Sequence, residues 1–151
     1  RGMDVAIWGN AWSRSRYWHV LKVHWRGPSV YGRDYVAAIQ GAKIVLGLLS
    51  KQNRDLHTRR SVEIPYAGGL LCAQRTEEHL SMYREGEEAV FWSDANECAV
   101  ICRALLADPV RRERIRQAGM ARARAAGYGN EAICREILEC LTKSDYRPTK
   151  L

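Results

Sequence analysis

Asp55, Arg60, Glu63, Gly68 and Gly69 fall within one stretch of fifteen residues, DLHTRRSVEIPYAGG (55–69). Two carboxylates, a guanidinium and flexible backbone in so short a span make the polar set that phosphate or sugar recognition uses. Seven residues separate Asp55 from Glu63, and the segment between them is predicted to begin a helix near Thr58. Asp55 is then expected in the loop at that helix N-terminus, with Glu63 one to two turns in. Free backbone donors and a partial positive charge at a helix N-terminus suit a diphosphate, and Arg60 can add a charge-assisted bond. A carboxylate such as Glu63 can accept paired hydrogen bonds from the two hydroxyls of a ribose. Gly68 and Gly69 allow backbone to approach where a side chain would collide. Each residue also has a plainer reading: Asp55 as a helix cap, Glu63 as a solvated group or partner of Arg59 or Arg60, and Gly68 as a helix stop. Spacing alone leaves both readings open.

The elements that must position these residues follow from alternating short apolar runs and helical patterns, the mark of parallel strands joined by crossover helices. Strands are predicted at VAIW (5–8), SVY (29–31), KIVLGLL (43–49), GLLCA (69–73) and EAVFW (88–92). Helices are predicted at RDYVAAIQGA (33–42) and at TRRSVEIPYA (58–67), where Pro65 removes a backbone donor and should kink or end the helix before Gly68. After EAVFW the chain turns helical: SDANECAVICRALLAD with Asp94 near a cap, then a helix that Asp108 and Pro109 open, then NEAICREILECL. The fold class read from this order is α/β: a Rossmann-like, doubly wound parallel sheet with a helical C-terminal end. Ligands of such sheets bind beyond the carboxyl ends of the strands, which directs attention to SKQNRDLHT after KIVLGLL and to the segment before GLLCA.

The length of 151 residues is expected to form a single domain, 1–151, with 109–141 as its helical end. A surplus of 24 Lys and Arg over 17 Asp and Glu favours anionic partners without choosing among them. Much of that charge lies in RRERIRQAGMARARAA (111–126), where Ile115, Ala118 and Ala121 alternate with arginines. The pattern reads as the solvated face of an amphipathic helix, with few aromatics to suggest a nucleic-acid stripe. Cys72, Cys98, Cys102, Cys134 and Cys140 contain no C-x-x-C pair and no signal peptide is visible, so a reduced, cytoplasmic setting is expected. No histidine or cysteine partners follow Cys98 and Cys102 at zinc spacing, so buried free thiols are expected rather than a metal centre. No apolar run is long enough to span a bilayer. Trp8, Trp12, Trp18 and Trp25 are expected mostly in buried core.

From GPSVYGRDYVAAIQGAKIVLGLLSKQNRDLHTRRSVEIPYAGGLLCAQRTEEHLSMYREGEEAVFW onward, over about Gly27 to Leu141, the sequence resembles the carboxyl-terminal, donor-binding domain of GT-B glycosyltransferases. Within these it is most similar to the branch named for the spore-maturation protein CgeB, usually grouped as glycosyltransferase family 1. The specific parts are D-L-H-T-R-R-S-V-E-I-P-Y-A-G-G and the following Q-R-T-E-E-H. Many retaining members of that fold carry two glutamates with seven residues between them, where this chain has Asp55 and Glu63. The resemblance implies that Glu63 holds the nucleotide ribose and that Asp55 faces the transferred sugar or positions its leaving diphosphate, with the shorter aspartate a departure from the pattern. It assigns Arg60, or alternatively Lys51, to the diphosphate. Gly68, Gly69 and the backbone near Arg75 and Thr76 would shape the sugar and phosphate pocket. Val30 and Tyr31 occupy the place where relatives contact the base, although Tyr31 also fits ordinary core. His57 and His79 flank the site and either could assist a proton transfer.

The implied reaction is retaining glycosyl transfer from a nucleoside diphosphate sugar, with no cofactor. The sequence contains no D-x-D pair, so charge on the departing diphosphate is expected to be offset by helix dipole and arginine rather than by a metal. Arg1 in place of an initiating Met, followed directly by DVAIWG, fits a chain that begins inside a longer protein, with an acceptor domain upstream. Two rivals remain: a basic module binding nucleic acid through Arg111 to Arg124, and a non-catalytic Rossmann-like interaction domain.

Overall fold

The computed structural model describes residues 2–50 and 52–143; Lys51 and the tail from Ser144 lie outside the described residues. Two compact units divide the chain, Arg1–Gly41 and Ala42–Leu151. The fold is mixed α/β with parallel strands, crossover helices and a helical C-terminal end, the Rossmann-like class expected from the sequence.

In the first unit β1 (Ile7–Trp8) and β2 (Trp25–Gly27) pair in parallel, joined by a 3-10 turn at Trp12–Arg14 and a short helix α1 (Trp18–Leu21), and the unit closes with α2 (Gly32–Gly41). The second strand therefore falls at 25–27 and not at SVY (29–31). Pro28 has no N–H to give a ladder, the Ser29 N–H is taken by Asn10 Oδ1 at 3.1 Å, and the Tyr31 carbonyl accepts from Tyr35 at the start of α2. Tyr31 is 76% exposed, which removes its reading as core. The tryptophans also depart from expectation, since none of the four is buried. Trp18 and Trp25 meet edge to face at 6.1 Å, and the Trp25 indole N–H donates to the Gly9 carbonyl at 3.0 Å. Trp25 therefore keeps its polar edge satisfied near solvent.

In the second unit β3 (Val45–Gly47), β4 (Leu71–Gln74) and β5 (Val90–Trp92) lie side by side in parallel. Crossovers run through α3 (Arg59–Tyr66) and α4 (Glu77–Met82), and α5 (Ala95–Ala107), α6 (Pro109–Ala125) and α7 (Asn130–Lys143) follow. The continuous apolar run at Leu70 to Ala73 is buried on both faces because β4 is the central strand. Leu70, Cys72 and Val90 pack there with Leu105 of α5 and Ile115 of α6. Each such aliphatic side chain contributes about 1.5–3 kcal/mol on burial. The five cysteines are free thiols. The hydrogen bond that Cys72 shares with Cys102, with burial behind it, pushes the Cys72 thiol up, and Cys102 is held down by the same bond.

Helix ends are set by the residues the sequence suggested. Asp94 caps α5 by accepting from the N–H groups of Asn96 and Glu97 at 2.7 and 2.9 Å. Asp108 caps α6 by accepting from Arg111 N–H at 2.9 Å, with Pro109 in the first turn. The buried stripe of α6 is Ile115, Gly119 and Ala123, whereas Ala121 is exposed. Spacing by four, rather than three, selects that face, and Gly119 is the reason the helix can come so close. A Cβ built on Gly119 would lie 2.2 Å from the Glu88 carbonyl oxygen just before β5.

Replacing Gly119 with Ala is expected to lower the unfolding free energy by about 2–3 kcal/mol through overpacking. Ala121→Gly, on the exposed side of the same helix, is expected to cost about 1 kcal/mol. Urea unfolding of both variants checks the contrast; a Gly119→Ala cost no larger than that of Ala121→Gly would mean that the two backbones separate freely.

Candidate active site

Adjacent parallel strands deliver their following loops to the same edge of a sheet, and β3 and β4 do so here. The segment after β3 carries Asp55, Leu56 and His57, and the segment after β4 carries Arg75 and Thr76. Thr76 stitches the two. Its hydroxyl donates to the Leu56 carbonyl at 2.6 Å while accepting from the His79 N–H at 3.1 Å, so it caps α4 and fastens the neighbouring loop with one oxygen. One residue further along, the His57 imidazole pairs with the Glu78 carboxylate. Asp55 is thereby held, partly buried, in a loop tied on its C-terminal side. Arg54, directly before it, has φ 53°, the one non-glycine residue of positive φ among the described residues. Such conformations cost of order 1–3 kcal/mol and concentrate at functional sites.

Helix α3 starts from that loop. The Thr58 N–H donates to Ser61 Oγ at 3.1 Å, and the Ser61 N–H donates to the Thr58 carbonyl at 2.9 Å, which turns the chain into the helix. Arg60 is exposed in the first turn. Glu63, one turn in, keeps its side chain 38% exposed and pairs with Arg59 at 3.9 Å, one turn back. The plainer reading of Glu63 as an arginine partner is therefore observed, in a long and solvent-screened contact that leaves the carboxylate reachable.

Gly68 and Gly69 stand at the other end of α3. With φ of 88° at Gly68, its N–H donates to the Pro65 carbonyl and that of Gly69 to the Ile64 carbonyl, at 2.9 and 2.8 Å. This is the two-bond Schellman stop that only a residue tolerant of positive φ makes cheaply. Eight residues of helix, roughly 12 Å, lie between this turn and the end bearing Asp55. The glycines feed β4 at its amino end, where Arg116 Nη1 donates to the Gly68 carbonyl at 2.8 Å. The structure thus brings Asp55, His57 and Thr76 to one edge with Arg60 and Glu63 beside it, and does not bring Gly68 and Gly69 there. Val30 and Tyr31 belong to the first unit, in the segment before α2.

The Arg75 side chain is committed elsewhere. Its guanidinium binds Glu85 at 2.6 Å and Glu97 at 2.8 Å and donates to the Phe91 carbonyl at 3.1 Å. Arg75 and the Ser93 N–H together draw the Glu97 carboxyl down to about 2. The Arg75 backbone N–H donates to the Trp92 carbonyl at 2.7 Å.

Sequence reasoning placed His79 as a flanking histidine and passed over Ser61. They form a buried relay: Nδ1–H of His79 donates to the Gln74 carbonyl at 2.6 Å, which leaves Nε2 to accept from the Ser61 hydroxyl at 2.7 Å. Ser61 Oγ in turn accepts from the Thr58 N–H, and the Tyr83 hydroxyl donates to the Ser61 carbonyl at 2.9 Å. The start of α3 is thus tied through one serine and one imidazole to the end of β4. His79 is fully buried and stacks on Phe91 at 5.4 Å. It is a positioning group, because its two nitrogens are occupied and neither faces solvent. The signal in the sequence was an S-x-x-E-type helix start missing its acid, with serine at the third position.

Against known families, the glycosyl transferase-like family matches residues 1–139. Together with the parallel α/β fold, this defines the class of protein as glycosyl transferase-like. The chain belongs to the glycosyl transferase-like family. No curated protein matches it. No described helix is long and apolar enough to cross a membrane.

Burial holds the His79 imidazole below its ordinary value of 6.5. Below that pH the unfolded chain binds the proton and the folded chain resists it, so stability that is complete above 6.5 is lost as pH falls. The expected result is a melting temperature that declines from about pH 6.5 downward in the native chain. In His79→Gln the decline is expected to begin only in the carboxylate range, where Glu97 and Glu113, both held near 2, take up protons. Thermal melts across pH 4–7 check this to about half a pH unit; identical profiles for the two proteins would refute it.

Proposed function

We propose that the edge formed by the loop at Asp55, the first turn of α3 and the Thr76 turn binds the donor of a glycosyl transfer, a nucleoside diphosphate sugar. The observation that carries the reading is the Thr76 to Leu56 hydrogen bond, which fastens the segments leaving β3 and β4 into one rim with Asp55 in it and Glu63 beside it. Ligands of open α/β sheets sit at such a rim. In this reading Glu63 accepts from the ribose hydroxyls, releasing its weak contact with Arg59. Arg60 and the amides at the start of α3 take the diphosphate. Asp55 faces the transferred sugar, and His57 with the backbone of Arg75 and Thr76 completes the polar lining.

The reaction we infer is metal-independent and retaining, of the GT-B and CgeB-like kind, with the aspartate in place of glutamate demanding a closer sugar. Charge growing on the departing diphosphate is met by Arg60 and the α3 dipole. A cytoplasmic setting belongs to the same reading and is supported by the five free thiols.

Titration calorimetry with a panel of nucleoside diphosphates differing in base is expected to find binding at millimolar concentration or tighter for at least one. Glu63→Ala is expected to weaken it by about tenfold, some 1.4 kcal/mol, while Glu131→Ala on exposed α7 leaves it unchanged. Failure of every diphosphate to bind, or equal affinity for the native and Glu63→Ala chains, would overturn the assignment.

A further inference from the structure

Away from that rim, three sulfur atoms meet. Cys72 lies on the central strand β4, and Cys98 and Cys102, one turn apart on α5, face it, so that the three Sγ atoms all lie within 4.8 Å of one another. The glycosyl transfer reading does not use them. The sequence hid this set because Cys72 is 26 residues from Cys98, and only the packing of α5 across β4 joins them.

The donor set is chemically uniform. It holds three soft sulfurs, with no histidine or carboxylate among the grouped ligands. A tetrahedral zinc site uses four protein ligands, and soft thiolates favour copper(I) among the common ions. An ion about 2.3 Å from each sulfur in a trigonal plane requires sulfurs about 4 Å apart, a spacing inside the observed limit. Surroundings matter as well. Leu70, Val90, Leu105 and Ile115 pack around Cys72, and a charged complex is costly among aliphatic groups. Three thiolates around one copper(I) carry two negative charges, a cost that the partial exposure of Cys98 reduces. Cys72 is buried, whereas Cys98 is only partly so.

We propose that Cys72, Cys98 and Cys102 form a thiophilic metal site that binds one copper(I) ion through three sulfurs and clamps α5 to β4. Binding is an exchange and not a redox step: three sulfur to copper bonds form as copper's bonds to a chelator break, the three thiol protons leave to solvent, and copper stays in the +1 state. Cys134 and Cys140 are exposed on α7 and would bind copper on their own. The test therefore uses the full chain with Cys134→Ser and Cys140→Ser, fully reduced and without oxygen, competing for copper(I) against a chromogenic chelator.

The expected result is one equivalent withdrawn per chain, sulfur-only coordination by X-ray absorption, and a rise in melting temperature on loading. Adding Cys98→Ala, at a partly exposed position that leaves the core filled, is expected to weaken binding by about 100-fold. Copper left wholly on the chelator, undiminished binding in Cys98→Ala, or a tighter one-to-one complex with zinc(II) would each overturn the site. So would a chain that forms a disulfide among these three cysteines under the same conditions. Should Cys98→Ala fail to fold, the stoichiometry and coordination of the Cys134→Ser, Cys140→Ser chain still decide the question.

Discussion

Three helices of the second unit end against guanidinium groups supplied by a fourth. Arg112 donates to the Leu105 carbonyl at the close of α5, Arg116 to the Gly68 carbonyl after α3, and Arg122 to the Met82 carbonyl at the end of α4, at 2.9, 2.8 and 3.0 Å. Terminal carbonyls of a helix have no partner within it and carry the negative end of its dipole, so a cation is the fitting cap. One helix, α6, performs this for all three, and Gly119 lets it lie close enough to do so. The rest of the second unit depends on that contact, because α3 and α4 are short and neither would persist alone in water.

The rim inherits its geometry from this arrangement. Helix α3 is held at its far end by Arg116 on the Gly68 carbonyl and at its near end by the Ser61 and His79 relay. With both ends fixed, the backbone position of Glu63 is set independently of its contact with Arg59. Preorganisation of this sort is how a site holds a polar group in place without the ligand having to order it. The glycines contribute from a distance, since the turn they make is what presents the carbonyl that Arg116 grips.

Most of the fold was legible in the sequence because its signals are local. Asp94, Asp108, Pro109 and Pro65 with Gly68 mark helix ends by short-range chemistry, and the LLCA run marks a strand buried on both faces. What escaped depends on partners distant along the chain. Residues 29–31 alternate like a strand, but Pro28 and Asn10 deny them a ladder. The tryptophans are apolar enough for a core, but a unit of this size has little interior to offer them. In the candidate site, Asp55 in the loop and Glu63 one turn into the helix were legible because both are fixed by where α3 starts. The separation of Gly68 and Gly69 from that edge was not, because proximity in sequence across a helix becomes distance along its axis. The contact between Ser61 and His79 and the meeting of Cys72 with Cys98 lay beyond reach for another reason, since each joins residues 18 or more apart.

The basic composition has an internal explanation that net charge conceals. Of the arginines from Arg111 to Arg124, three bind carbonyls as described, and Arg124 lies over the Tyr66 ring at 6.0 Å. A guanidinium on a neutral carbonyl leaves its charge uncancelled in the sum while its donors are used inside the fold. The surplus of 24 basic over 17 acidic residues therefore overstates the cation available to a partner. Arg60, exposed in the first turn of α3, is of a different kind: a cation placed beside the positive end of a helix dipole is locally unfavourable until an anion arrives. Charge that caps a helix raises stability, and charge set against a helix start is stability forgone. The second kind is the one that a phosphate-bearing ligand can repay.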